Sequence, residues 1–304
     1  MRLRGAAVAI GTLLASASPA MGCVTVGVYP YNPARALPAL HRTVGRGITA
    51  VSVYLTAGRP LAQSVIDAAN RADATLIVTW EPDGGHDGAS QPRFRLTRVA
   101  QGRYDASLSR LVGQLQGVRR GAILRPMPEM NTPWYAWSGT VNHNTPAEYV
   151  KAWRRVRAAV RSAPGGSNVK LLWAPYAENI PQTRANSFAA YFPGRANVDL
   201  VGASGYNFGA QGSLTWTDPD ALFAGAYQTI ESLAAKPFWL AETGSTADGG
   251  DKAGWILALS TLKATMPKLA GMVWYDVNDP TGDFRLRGRS VNSAFRSLLK
   301  EACR

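Results

Sequence analysis

A single α/β domain, a (β/α)8 TIM barrel, is what this sequence predicts, on three observations. Short β-rich runs alternate with longer segments of helical period, the runs number eight, and no linker divides them. The 304 residues suffice for one such domain, which takes roughly 250. With 46% apolar and 17% charged side chains, the composition is that of one globular core. Strands apolar on both faces and separated by helices pair in parallel, and eight repeats close more readily than they spread into an open sheet. An open doubly wound sheet is the alternative. It announces itself by a glycine-rich phosphate loop after its first strand, where this chain has YPYNPARAL.

The elements follow in order. CVTVGVYPY is the first strand and ALPALHRTVG its helix; ITAVSVYL leads to PLAQSVIDAANRA. After ATLIVTW, residues 83–103 form the longest irregular stretch, a loop expected on the functional face, before the helix DASLSRLVGQL. GAILRPM leads to TPAEYVKAWRRVRAAV, VKLLWAPY to NSFAAYF, and VDLVGASGY to DPDALFAGAYQTIESLA. FWLAET leads to DKAGWILALSTLKATM, and GMVWYD to SVNSAFRSLLKEA. Thr145-Pro146, Asp218-Pro219 and Ser290 read as helix starts: an oxygen side chain meets the free N–H groups, and proline suits the first turn.

Residues 1–22 read differently. Arg2 and Arg4 precede the apolar run AAVAIGTLLASA, Ser18-Pro19 break it, and Ala20-Met21-Gly22 offers a signal peptidase its small residues. Residues 1–22 are therefore expected to be a cleaved signal peptide and residues 23–304 a secreted barrel domain. No later stretch reaches the roughly 18 apolar residues of a membrane span. Cys23 and Cys303 are the only cysteines. The first strand and last helix of a barrel are neighbours, so a disulfide between them is predicted for an oxidising compartment. Lipidation of Cys23 is the alternative, although Ala20 stands where lipoprotein signals usually carry Leu.

The net charge is +13, but the arginines are scattered and no basic run is interleaved with aromatics, so no nucleic-acid partner is expected. KAWRRVRAAVR has helical spacing and reads as a solvated face. The three histidines, His41, His86 and His143, have no zinc-ligand spacing, and DGGHDG lacks the calcium-loop pattern. No metal and no cofactor is predicted, and a monomer is expected.

Barrel active sites lie at the C-terminal ends of the strands. Those ends carry Trp80-Glu81-Pro82-Asp83, Arg125 through Glu129 to Asn131, Tyr176 and Glu178, Tyr206-Asn207, Glu242, and Trp274 with Asp276, Asn278 and Asp279. Acids and amides that bind hydroxyls, beside aromatics that cover the apolar face of a pyranose, make a sugar site. Glycosidic cleavage needs a pair of carboxylates. On spacing alone Glu81, Glu129, Glu178 and Glu242 all remain candidates. Asp276 and Asp279 bind substrate or fix the last loop.

RPMPEMNTPWYAW (Arg125 to Trp137) resembles the strand 4 acid/base motif of glycoside hydrolase family 26, which includes β-mannanases and some β-glucanases. FWLAETGS is similar to that family's strand 7 nucleophile segment, and VGASGYN and GMVWYDVND to its strands 6 and 8. The resemblance implies Glu129 as general acid/base and Glu242 as nucleophile. It further implies that Tyr206 orients the nucleophile, Arg125 keeps it ionised, and Trp134, Trp137 and Trp274 pack against sugar rings. Trp80, Asn131 and Asp276 complete the expected substrate-binding set. The family often carries His before the acid/base, and Pro128 replaces it here, which leaves mannan versus glucan open. The expected function is a secreted retaining endo-β-glycosidase acting on a β-mannan or β-1,3/1,4-glucan. A non-catalytic carbohydrate-binding or envelope barrel is the alternative.

Overall fold

Apolar side chains on both faces of each strand find cover on both sides of a closed sheet. The computed structural model describes residues 22–85, 88–210 and 214–303. Strands β1 (Thr25–Tyr29), β2 (Ala50–Thr56), β3 (Thr75–Glu81), β4 (Ala122–Pro126), β5 (Val169–Trp173), β6 (Leu200–Asn207), β7 (Phe238–Ser245) and β8 (Leu269–Tyr275) form a closed barrel in chain order. Every neighbouring pair is parallel, and β1 closes on β8 with Val28 opposite Trp274. The predicted barrel is thus the observed one.

Period-two alternation sorts each strand between two cores. Tyr29, Ile77, Ile123, Leu172, Leu200, Trp239 and Val273 form one cluster inside the barrel. Their sequence neighbours join the larger cluster between sheet and helices. Trp239 fits inside because β8 offers Gly271 opposite, where an added Cβ would lie 2.5 Å from the indole.

The outer layer comprises α1 (Pro33–Val44), α2 (Gln63–Arg71), α3 (Leu96–Ala100), α4 (Asp105–Leu115), α5 (Pro146–Ser162), α6 (Phe188–Tyr191), α7 (Pro219–Leu233), α8 (Lys252–Ala258) and α9 (Arg289–Glu301). Thr145 caps α5 as predicted, its hydroxyl accepting from Glu148 N at 3.2 Å. Asp218 occupies the cap of α7 without a side-chain bond there. The expected start at Ser290 is corrected: α9 begins at Arg289 after Gly288, which at φ 90° takes a conformation glycine tolerates. NSFAAYF gives only the four residues of α6, since 3-10 turns flank it and Pro193 follows. The expected loop 83–103 carries α3, and His86 and Asp87 lie outside the described residues.

Cys23 and Cys303 form the predicted disulfide, with Cα atoms 4.1 Å apart, and Val24 N donates to Ala302 O at 2.7 Å beside it. The sulfur to which lipidation was the alternative is therefore bonded to Cys303. The expected signal peptide lies outside the described residues except for Gly22. Among the described residues no helix is long and apolar enough to cross a membrane.

Candidate active site

Glu129 owes its position to an irregular exit from β4. Met127 and Glu129 have φ of 49° and 54°, a left-handed conformation that costs a non-glycine residue about 1–3 kcal/mol. Neighbouring strands hold this path: Met127 N donates to Trp80 O at 2.9 Å, and Glu129 N to Ala174 O at 3.0 Å. The Thr132 hydroxyl closes the turn onto Glu129 O at 2.8 Å. Glu242 is aimed by another irregularity. Opposite β6, the register steps from Ala203–Leu240 to Ser204–Glu242, so Ala241 is an extra residue. A bulge of this kind re-aims the side chain that follows. Ala241 joins the interior cluster, and Glu242, next in the chain, also enters the mouth.

Between the two glutamates lies Arg125, fully buried. Its Nη1 donates to Glu242 Oε2 at 3.0 Å and its Nη2 to Glu129 Oε1 at 3.3 Å, with a further bond from Nη2 to Ser204 Oγ. Glu242 accepts at both oxygens from Tyr54 (2.7 and 2.8 Å) and at Oε1 from Tyr206 (2.5 Å). Glu242 is thus ringed by donors. Glu129 accepts from Tyr135 at 3.1 Å. Burial raises its pKa, Arg125 pulls it down, and the charge of Glu242 adds to the rise. One carboxyl inclined to hold a proton thus faces another wrapped in donors.

The mouth opens into a cavity of about 350 Å³, lined among others by Glu129, Glu242, Trp134, Tyr206, Tyr275 and Asp279. A second cavity of about 290 Å³ shares Trp134 and Tyr135 with it and adds Glu81 and Asp83. Burial, then Asp83, pushes the Glu81 carboxyl up to about 8. Glu81 borders the cleft, while Glu178 is exposed and lines neither cavity. Among the described residues no group of three or more His, Cys, Asp or Glu is placed to hold a metal ion.

Trp134, 41% exposed, is where an aromatic platform was expected. The other tryptophans given to the substrate require correction, Trp137 and Trp274 as sugar platforms and Trp80 as a binding residue, because all three are buried. Trp80 packs edge-on against Tyr104 at 5.4 Å. Trp274 contacts Trp255 and Phe295 on the helical side of the sheet. Trp137 lies flat under Tyr135 at 4.6 Å, with Nε1 donating to Pro128 O at 2.7 Å, so it supports the tyrosine that holds Glu129. Asn131 is buried as well and braces the exit of β5, donating to Tyr176 O at 2.9 Å and accepting from Tyr176 N at 2.9 Å. Asp276 fixes the last loop by accepting from Leu286 N at 2.6 Å, and burial pushes it up to about 6. Sequence reasoning assigned no role to Tyr54, Tyr135, Phe208, Tyr275, Thr281 or Phe284, all of which line the cleft. Tyr54 and Tyr275 stand at strand ends, and the period-two pattern was the signal that pointed to them.

The model of the glycosyl hydrolase family 26 matches residues 100–248. Endoglucanase H of Acetivibrio thermocellus is 30% identical over 241 residues, which are 77% of this chain and 25% of that protein. A mannan endo-1,4-beta-mannosidase of Bacillus subtilis is 27% identical over 166 residues, 52% of this chain and 41% of that protein. The chain thus spans less than half the length of these curated relatives. A Cellulomonas fimi endo-beta-1,4-mannanase structure superposes with a TM-score of 0.68 at 17% identity, over 91% of this chain and 70% of that one, a likeness of fold.

Proposed function

We propose, from the match of residues 100–248 to glycosyl hydrolase family 26, that this chain is a retaining endo-β-glycosidase of a neutral β-linked polysaccharide. The observation that carries this reading is Arg125 bridging two buried carboxyls at the barrel mouth, one with a raised pKa and one wrapped by Tyr54 and Tyr206. A retaining mechanism needs the two carboxyls roughly 5–5.5 Å apart, and both lie within hydrogen-bond reach of the same guanidinium. Glu129 gives its proton to the departing glycosidic oxygen while Glu242 attacks the anomeric carbon. Glu129, now ionised, takes a proton from water as that water attacks the glycosyl ester, releasing product and restoring both groups.

A β-mannan or β-1,3/1,4-glucan fits this cleft. Asp83 and Asp279 repel anionic sugars, and two cavities meeting at Trp134 give room for more than one residue of a chain. Secretion is part of the proposal, with residues 1–22 as signal peptide and residues 23–304 as catalytic domain; the disulfide at Cys23 supports an oxidising destination. Incubation with mannan, barley glucan, laminarin and xylan tests the function. New reducing ends from one of the first two, with the β-anomer formed first by NMR, is the expected result. Binding without cleavage of any of the four would instead favour the non-catalytic barrel.

Glu129→Gln is expected to lower kcat/KM on that glycan by about 10²–10⁴-fold. Glu129 must be protonated to act first, so the parent loses activity as pH rises through its raised pKa. That alkaline limb should vanish in the variant, and its persistence would assign it to another group. Trp134→Ala should raise KM about tenfold, the scale of a lost ring contact, with kcat within about twofold. An unchanged KM would remove Trp134 from the substrate path.

A further inference from the structure

Three consecutive backbone carbonyls in the loop after β8 are gripped by side chains from outside the loop. Lys252, the first residue of α8, donates through Nζ to Asp283 O at 3.0 Å and Arg285 O at 2.9 Å. Between them, Trp274 Nε1 donates to Phe284 O at 2.9 Å, and Lys252 Nζ lies 5.7 Å from the centre of the Trp274 ring. Lysine is almost never buried without a partner, yet Lys252 is 6% exposed. Burial pushes its ammonium down to about 8, against the opposing pull of Asp283, Asp276 and Asp248; Arg285 adds to the fall.

The gripped segment reaches the reacting groups. The Phe284 ring lies 5.7 Å from that of Tyr206, the hydroxyl donor to Glu242. Gly244 makes this seat possible, since a Cβ there would come 3.0 Å from the Phe284 ring. Earlier in the same loop, Asp279 and Thr281 line the cleft.

We propose that Lys252 is a positioning residue for the reaction: its grip on the Asp283 and Arg285 carbonyls seats Phe284 against Tyr206, and so fixes the hydroxyl that orients Glu242. It touches neither Glu242 nor the cleft, and acts only through the loop. The catalytic half of this inference rests on the glycosidase reading; the grip itself does not.

Lys252→Met keeps the aliphatic stem and removes the donors. It is expected to speed amide exchange in residues 276–286 by about tenfold or more, read by hydrogen-exchange mass spectrometry, with the strands unchanged. On the best glycan of the panel kcat should fall about tenfold to a hundredfold, as when catalytic geometry slips. The decisive readout is a cycle with Tyr206→Phe, which deletes the hydroxyl that Lys252 is held to position. In that background Lys252→Met should cost less than about threefold in kcat, because the two act on one path. Additive losses, or faster loop exchange with kcat unchanged, would overturn the proposal. If the parent cleaves no glycan, the glycosidase reading fails, while the exchange data still decide whether Lys252 holds the loop.

Discussion

Glu242→Ala is expected to lower hydrolysis by about 10⁵-fold or more, the scale on which loss of a covalent nucleophile is felt. The side chain accepts from Tyr54, Tyr206 and Arg125 at once, and among the described residues no other carboxylate meets all three. Removing it leaves a gap ringed by donors at the position from which, on the proposed mechanism, the anomeric carbon is attacked. A small anion should fill that gap. Azide or formate is therefore expected to restore turnover of an aryl β-glycoside, giving a product of inverted configuration when azide is the nucleophile. Glu242→Gly, supplied with an activated glycosyl fluoride of the opposite anomeric configuration, should transfer sugar without hydrolysing the product. Initial rates and NMR of the products check both. Activity within tenfold of the parent, or no rescue of any kind, would remove Glu242 as nucleophile.

The barrel was legible because its eight apolar runs and their helices are local patterns. Which side of the sheet a strand-end aromatic faces was much less so. In β8, Val273 lies in the interior cluster, Trp274 faces the helices and Tyr275 lines the cleft. In β3, Trp80 packs outward on Tyr104 while Glu81 borders the cleft. Side chains alternate, so a reading displaced by one residue exchanges the cleft for the helical layer. The strand ends were placed correctly, but Trp80 and Trp274, given to the substrate, have the opposite parity: the cleft is bordered by Glu81, which was among the four candidate glutamates, and by Tyr275, which had no role. The two glutamates proposed as the catalytic pair lie outside this rule for a different reason. Glu129 leaves β4 through two left-handed residues and Glu242 follows a bulge, so neither obeys simple alternation. Only their motifs, not period two, could single them out from four glutamates.

Arg125→Met should be the costliest substitution for the folded state. The guanidinium is fully buried and carries ion pairs to two carboxyls that are themselves 0% and 4% exposed, so its removal strands both. Breaking a buried pair from one side costs about 3–5 kcal/mol, which for a domain of this size lowers Tm by roughly 10 °C. The loss should depend on pH, with a sign that separates it from lost packing. The pKa of Glu129 is already raised by burial, and Arg125 is the partner that restrains the rise. Without it, the folded state holds its proton more tightly than the unfolded chain does. Stability is then fully present below the unfolded carboxyl pKa and declines as pH climbs towards the folded value. Urea unfolding should therefore show a smaller deficit for Arg125→Met at pH 4.5 than at pH 7.5, and an equal deficit at both would point to packing alone. Arg125→Lys keeps the charge but loses the fork that reaches Glu129, Glu242 and Ser204 together. It should recover much of the stability at pH 7.5 and little of the activity. That split would show that Arg125 serves the reaction through geometry as well as charge.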